Sequence, residues 1–130
     1  MNALEFRFAF YARDFEQSIH FYRDQLGMKP VGQWWDRSAG KGALLSTGGT
    51  GVIEIYGAPQ GQVYAGPAPT ALNLALRLEN RAALDDFHHQ LLKGGVHRIE
   101  EPQDRIWGHR SFVVYDPDNI PIHIYCELNS

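Results

Sequence analysis

Cysteine is almost absent. Cys126 is the sole one in 130 residues, so no internal disulfide framework is available. A lone thiol of this kind reads as an inert packed side chain and suits a reducing compartment. Long apolar runs are missing too: none approaches the roughly 20 residues a membrane-spanning helix needs. The opening Met-Asn-Ala-Leu-Glu-Phe lacks the basic segment and long apolar stretch of a signal peptide. The expectation is a cytoplasmic protein without a membrane partner. No basic stripe exists and the formal net charge is -3, which disfavours nucleic acid as a partner. GxGxxG, P-loop, nucleophile-elbow and Cys/His zinc patterns are all missing. Phosphate-cradling and serine-hydrolase chemistry therefore have no support. Low-complexity runs are absent, and 44% hydrophobic with 21% charged residues is a globular balance that fits one domain with a proper core.

What is present is a repeat. Ile53-Glu54-Ile55-Tyr56 returns as Ile122-His123-Ile124-Tyr125. Alternate strand residues share a face. The isoleucines of each copy therefore face a core, and Glu54 with Tyr56, like His123 with Tyr125, faces the other way. Upstream, Phe6, Phe8 and Phe10 alternate with Arg7, Ala9 and Tyr11; Leu72, Leu74, Leu76 and Leu78 alternate with Asn73, Ala75 and Arg77. Each apolar row is expected to face the core. A helix follows each strand. Asp14 caps the first, with Gln17 three residues on, and Phe15, Ile19, Tyr22 and Leu26 form its stripe before Gly27. Asn80 caps the second, Leu84, Phe87 and Leu91 form the stripe, and Gly94-Gly95 ends it. Arg7 to Asn73, Asp14 to Asn80 and Phe21 to Phe87 are equally spaced; Glu54 to His123 is longer, so the second copy carries a small net insertion. Candidate strands then follow at about 29–36, 43–47 and 52–56, and again at about 96–100, 111–115 and 121–126. Residues 57–68, rich in Gly and Pro, read as a linker. The reading is α+β: two tandem βαβββ modules, about 1–58 and 69–130.

Phe8-Ala9-Phe10-Tyr11-Ala12-Arg13-Asp14 through Phe21-Tyr22 and Leu26-Gly27 resembles the opening strand and helix of the vicinal-oxygen-chelate superfamily, which includes glyoxalase I, bleomycin-resistance proteins and extradiol dioxygenases. Trp107-Gly108-His109-Arg110-Ser111-Phe112 with Asp116-Pro117-Asp118-Asn119 resembles its closing hairpin. The resemblance covers nearly the whole chain. It implies a curved mixed sheet around a cup, pairing into a homodimer, and often a divalent metal held by the first and last strand of each module. Those places here are Arg7, Glu54, Asn73 and His123. The sequence departs from the metal pattern: arginine cannot ligate a metal, and an asparagine carbonyl is a feeble ligand for zinc or iron.

The leading expectation is therefore a protein that binds a small polar or aromatic molecule without metal or other cofactor, in the manner of the bleomycin-resistance branch. Arg7 would pair with Glu54, with room for two hydrogen bonds, and would meet an anionic or carbonyl group of the ligand. Asn73 and His123 would add hydrogen bonds. Tyr56 and Tyr125 would line the cup, and Trp34, Trp35 and Trp107 would stack on the ligand; packing and loop-filling roles stand beside these readings. The alternative is a lyase, isomerase or dioxygenase acting on vicinal oxygens, with zinc, iron, manganese or nickel on Glu54 and His123, completed by Asn73 or water. Glu54 and His123 are also the candidate bases of a metal-free enzyme. A ligand-free interaction module would need the cup plugged by its own side chains. Adjacent His88 and His89 lack ligand spacing and read as a solvated helix surface.

Overall fold

The computed structural model describes residues 1–67 and 72–128. The end of the expected linker at Ala68 and the expected start of the second module at 69–71 lie outside the described residues. The chain divides into two compact units, residues 1–70 and 71–130.

In the first unit, β1 (Phe6–Tyr11), β2 (Lys29–Asp36), β3 (Gly40–Ser46) and β4 (Gly51–Gly57) form one sheet in the order β1-β4-β3-β2. β1 runs parallel to β4, with Ala9 opposite Glu54 and Tyr11 opposite Tyr56. The other pairs are antiparallel. The helix begins as its cap dictates: Asp14 Oδ1 accepts a hydrogen bond from the Gln17 N–H at 3.1 Å. The sequence predicts an ordinary helix from there to Leu26. Instead α1 (Phe15–Ile19) widens into a π-helical turn over His20–Gln25, where the Leu26 N–H reaches the Phe21 carbonyl at 2.8 Å. A stripe of apolar residues over so few turns cannot distinguish the two. The wider turn brings both Phe21 and Tyr22 into the core. Gly27, at φ 79°, ends the segment in a conformation that other residues rarely adopt.

Strand parity in β1 is as expected, but its cover is not. Phe10 packs beside Tyr22 (5.9 Å between ring centroids), whereas Phe6 is 71% exposed and Phe8 half-buried. The core face of β4, Ile53 and Ile55, is buried.

In the second unit, β5 (Leu74–Arg77), β6 (Gln103–Asp104), β7 (His109–Tyr115) and β8 (Pro121–Glu127) repeat the pattern as β5-β8-β7-β6, again with a parallel first-to-last pair. α2 (Arg81–Lys93) is capped by Asn80, whose Oδ1 accepts from the Ala83 N–H at 2.9 Å. Three expectations fail here. The strand at 96–100 is only an isolated bridge, Ile99 to Val114, flanked by two single hydrogen bonds. Pro102, which has no N–H to give a ladder, follows at once, and the paired strand is the short β6. The leucine row is not buried: Leu72 is exposed and Leu74, Leu76 and Leu78 are half-buried. His88 is no surface residue. It is 5% exposed, its Nε2 lies 3.0 Å from the Glu100 carbonyl, and its ring meets Phe112 edge-on at 5.0 Å. Cys126 is buried, as a packed thiol should be. Among the described residues no helix is long and apolar enough to cross a membrane.

Candidate functional site

Each sheet has one face toward its helix and one open face. Register decides which residues share the open face in the first unit: Arg7, Ala9 and Tyr11 from β1; Val52, Glu54 and Tyr56 from β4; Gly42 and Leu44 from β3; Gly32 and Trp34 from β2. Arg7 and Glu54, singled out by parity, do meet. Arg7 Nη1 donates to Glu54 Oε1 at 3.3 Å, and the guanidinium also pairs with Glu5. The bond to Glu54 is single rather than bidentate, because Glu5 takes the Nε edge. The pair is unequal in burial: the Glu54 side chain is 13% exposed and that of Arg7 43%. The hydrogen bonds it donates to Glu5 and then to Glu54 raise the Arg7 pKa above its ordinary value, so its charge is permanent.

Beside this pair runs a row of rings. Tyr11 and Tyr56 lie 4.7 Å apart, Tyr64 meets Tyr11 edge-on at 5.0 Å, and Trp34 is 6.0 Å from Tyr56. Trp34 fits because residue 42 is glycine: a Cβ there would stand 2.1 Å from the indole nitrogen. Burial pushes the Tyr56 hydroxyl above its usual pKa, and the Glu54 carboxylate adds to the shift. Tyr56 is thus a neutral hydroxyl across the physiological range. The open face offers a fixed cation, a hydroxyl, a carboxylate acceptor and flat aromatic surface. Tyr64 has no signal in the sequence; it is one aromatic residue in a Gly/Pro-rich stretch. Trp35 points to the helix side, with Lys41 as its register partner, and is 72% exposed.

The open face of the second unit carries Ala75 and Arg77, His123, Tyr125 and Glu127, and His109, Ser111 and Val113. Asn73 falls one residue before β5 and is exposed. His123 stands on the strand between Ala75 and Val113 and is half-buried. Tyr125 is stacked by His109 at 4.7 Å with 25° between the planes, and Glu127 lies 3.6 Å from His109 Nε2 and 3.9 Å from Arg77. His109 has no partner visible in the sequence; strand register supplies one. Trp107 sits exposed in the β6–β7 turn, where the Gly108 N–H bonds the Arg105 carbonyl.

The fold is found widely. A domain of glyoxalase/bleomycin resistance protein/dioxygenase type from Frankia sp. EAN1pec superposes with a TM-score of 0.80 at 17% identity, covering 100% of this chain and 95% of that one. TnmS3, an antibiotic binding protein from Streptomyces sp. CB03234, matches with a TM-score of 0.74 at 20% identity over 97% of each chain. In sequence, the uncharacterized protein YwkD of Bacillus subtilis is 27% identical over 113 residues, 86% of this chain and 88% of YwkD. The profile of one family matches residues 6–124. By that match, the chain belongs to the Glyoxalase/Bleomycin resistance protein/Dioxygenase superfamily.

Proposed function

We propose that this protein binds a small aromatic or polar molecule bearing an anionic or carbonyl group, and that it does so without a metal. The observation that carries this reading is Arg7: a permanent cation bonded to Glu54 at 3.3 Å, next to the Tyr11–Tyr56–Trp34 row. The guanidinium would take the ligand's negative oxygen and the rings its flat body. On the other unit, His123 and Tyr125 offer polar groups of their own.

The family's customary divalent metal meets a poor donor set. Arginine has no lone pair to give, and it occupies one oxygen of the Glu54 carboxylate. Among the described residues no three His, Cys, Asp or Glu side chains gather as ligands. The antibiotic-binding role named for TnmS3 is of the same kind as the one proposed. Pairing into a homodimer and a cytoplasmic location belong to the same proposal; sedimentation of the purified protein tests the first and fractionation of the source cells the second.

The test is metal analysis of protein purified without added metal, then a thermal-shift screen of small aromatic acids and ketones. The expected result is no stoichiometric manganese, iron, nickel or zinc. A retained compound should lose about tenfold or more in affinity in Arg7→Gln, the scale of one charge-assisted hydrogen bond. Stoichiometric metal, lost in Glu54→Gln/His123→Ala, would overturn the proposal in favour of a metal-dependent lyase, isomerase or dioxygenase.

A further inference from the structure

The helix side of the first sheet is incompletely covered. α1 and its π-helical extension pack over β4 and its neighbours, while β2 has no buried residue at all. Between the helix and the outer strands lies a cleft of about 480 Å³, within the range of small-molecule pockets. Gly32, Trp34 and Gly42 of the outer strands border it as well as the open face, but Arg7, Tyr11, Glu54 and Tyr56 take no part in its lining. Phe15, Ile19, Ala43 and Leu45 form its apolar walls, and Trp35 stands at its margin with its ring in solvent. A large indole held on a strand, opposite Lys41 and beside an apolar floor, is a flat surface left open to solvent among the described residues of its unit.

The charges at the rim give the chemistry. Lys41 Nζ lies 4.7 Å from the Phe15 ring centre and 3.3 Å from Glu16 Oε1; Arg23 is braced by Asp24 at 2.8 and 3.1 Å. Lys41, Arg23 and Glu16 all line the cleft, whereas Asp24 does not. The lining therefore carries two cations against one carboxylate. The Glu16–Lys41 pair is largely solvated, and exposed pairs contribute little, so an incoming anion displaces it at small cost.

We infer that this cleft is a second binding site, separate from the Arg7 face, for a flat aromatic anion: an aryl carboxylate or its like, stacked on Trp35 with its charge toward Lys41 and Arg23. The inference stands whether or not the open face binds a ligand.

The probe is 2-naphthoate, titrated into ¹⁵N-labelled protein and followed by amide and indole shifts. Saturable shifts centred on Phe15, Ile19, Trp35 and Lys41 are expected. Trp35→Ala should weaken binding by about tenfold, the worth of one aromatic stack, and Lys41→Gln severalfold; Arg7→Gln should leave it unchanged. Unaltered thermal midpoints in Trp35→Ala and Lys41→Gln establish that these losses are local. Absence of saturation at millimolar probe, shifts centred on Arg7 and Tyr56, or equal binding of uncharged 2-naphthalenemethanol would each overturn the inference.

Discussion

At the scale of the single residue, pairing separates what was legible from what was not. Arg7 and Glu54 were legible because strand parity alone puts both on one face, and their opposite charges do the rest. His88 was not. It sits beside His89 in a polar-looking helix, and nothing local tells that Glu100, a loop away, presents a carbonyl at 3.0 Å. Ser18 is the reverse case. It is fully buried on the helix, and its hydroxyl has no hydrogen-bond partner among the described residues. An unsatisfied buried hydroxyl is a cost, so Ser18→Ala should leave the protein as stable or stabilise it by up to about 1 kcal/mol. Denaturant melts of the two proteins decide it; a loss of more than that would mean an unseen partner for the hydroxyl.

At the scale of the element, periodicity found the strands but not their fit. Alternation marks the apolar rows at 6–10 and 72–78 but reports only a face, not what lies against it; Phe6 and Leu72 extend into solvent. The π-helical turn escaped because its widening needs only one residue more than the regular turn. The closeness of β2 to β3 at Trp34 was likewise invisible, since a glycine in a strand has many uses. That closeness makes a sharp prediction. In Gly42→Ala the new methyl must displace the Trp34 indole, at a cost of about 1–3 kcal/mol for overpacking. Because Trp34 also neighbours Tyr56, tryptophan emission should shift and any ligand of the open face should bind more weakly. Unchanged emission together with unchanged stability would show that Trp34 does not rest there.

At the scale of the whole chain, the duplication made the architecture readable from the sequence, down to the order of elements in each half. The insertion that distinguishes the halves fell where the second copy replaces a long strand by Gln103–Asp104. Charge behaves collectively at this scale. Arg23 and then His20 draw the Asp24 carboxyl down to about 2, and Arg81 and then Arg110 hold Asp104 below its usual range. A depressed carboxylate stabilises the folded state above its unfolded pKa, near 4, and that contribution fades as pH falls toward the folded value. The thermal midpoint should thus drop between about pH 4 and pH 2, less steeply in Asp24→Asn/Asp104→Asn. Both groups are solvated, so the difference should be small and shrink in high salt. Identical profiles for the two proteins would remove these ion pairs as the cause.

The parallel pairing of first with last strand has a consequence for how the protein is made. Phe6 must find Gly51, and Leu74 must find Ile122, so each opening strand leaves the ribosome long before its neighbour exists. Until then a row of phenylalanines or leucines travels unpaired, the aggregation-prone moment of this chain's synthesis. The antiparallel hairpins β2–β3–β4 and β7–β8 close over short turns and need no such wait. In pulse-labelled hydrogen exchange during refolding, amides of β1 and β5 should therefore gain protection after those of the hairpins; simultaneous protection would refute that order.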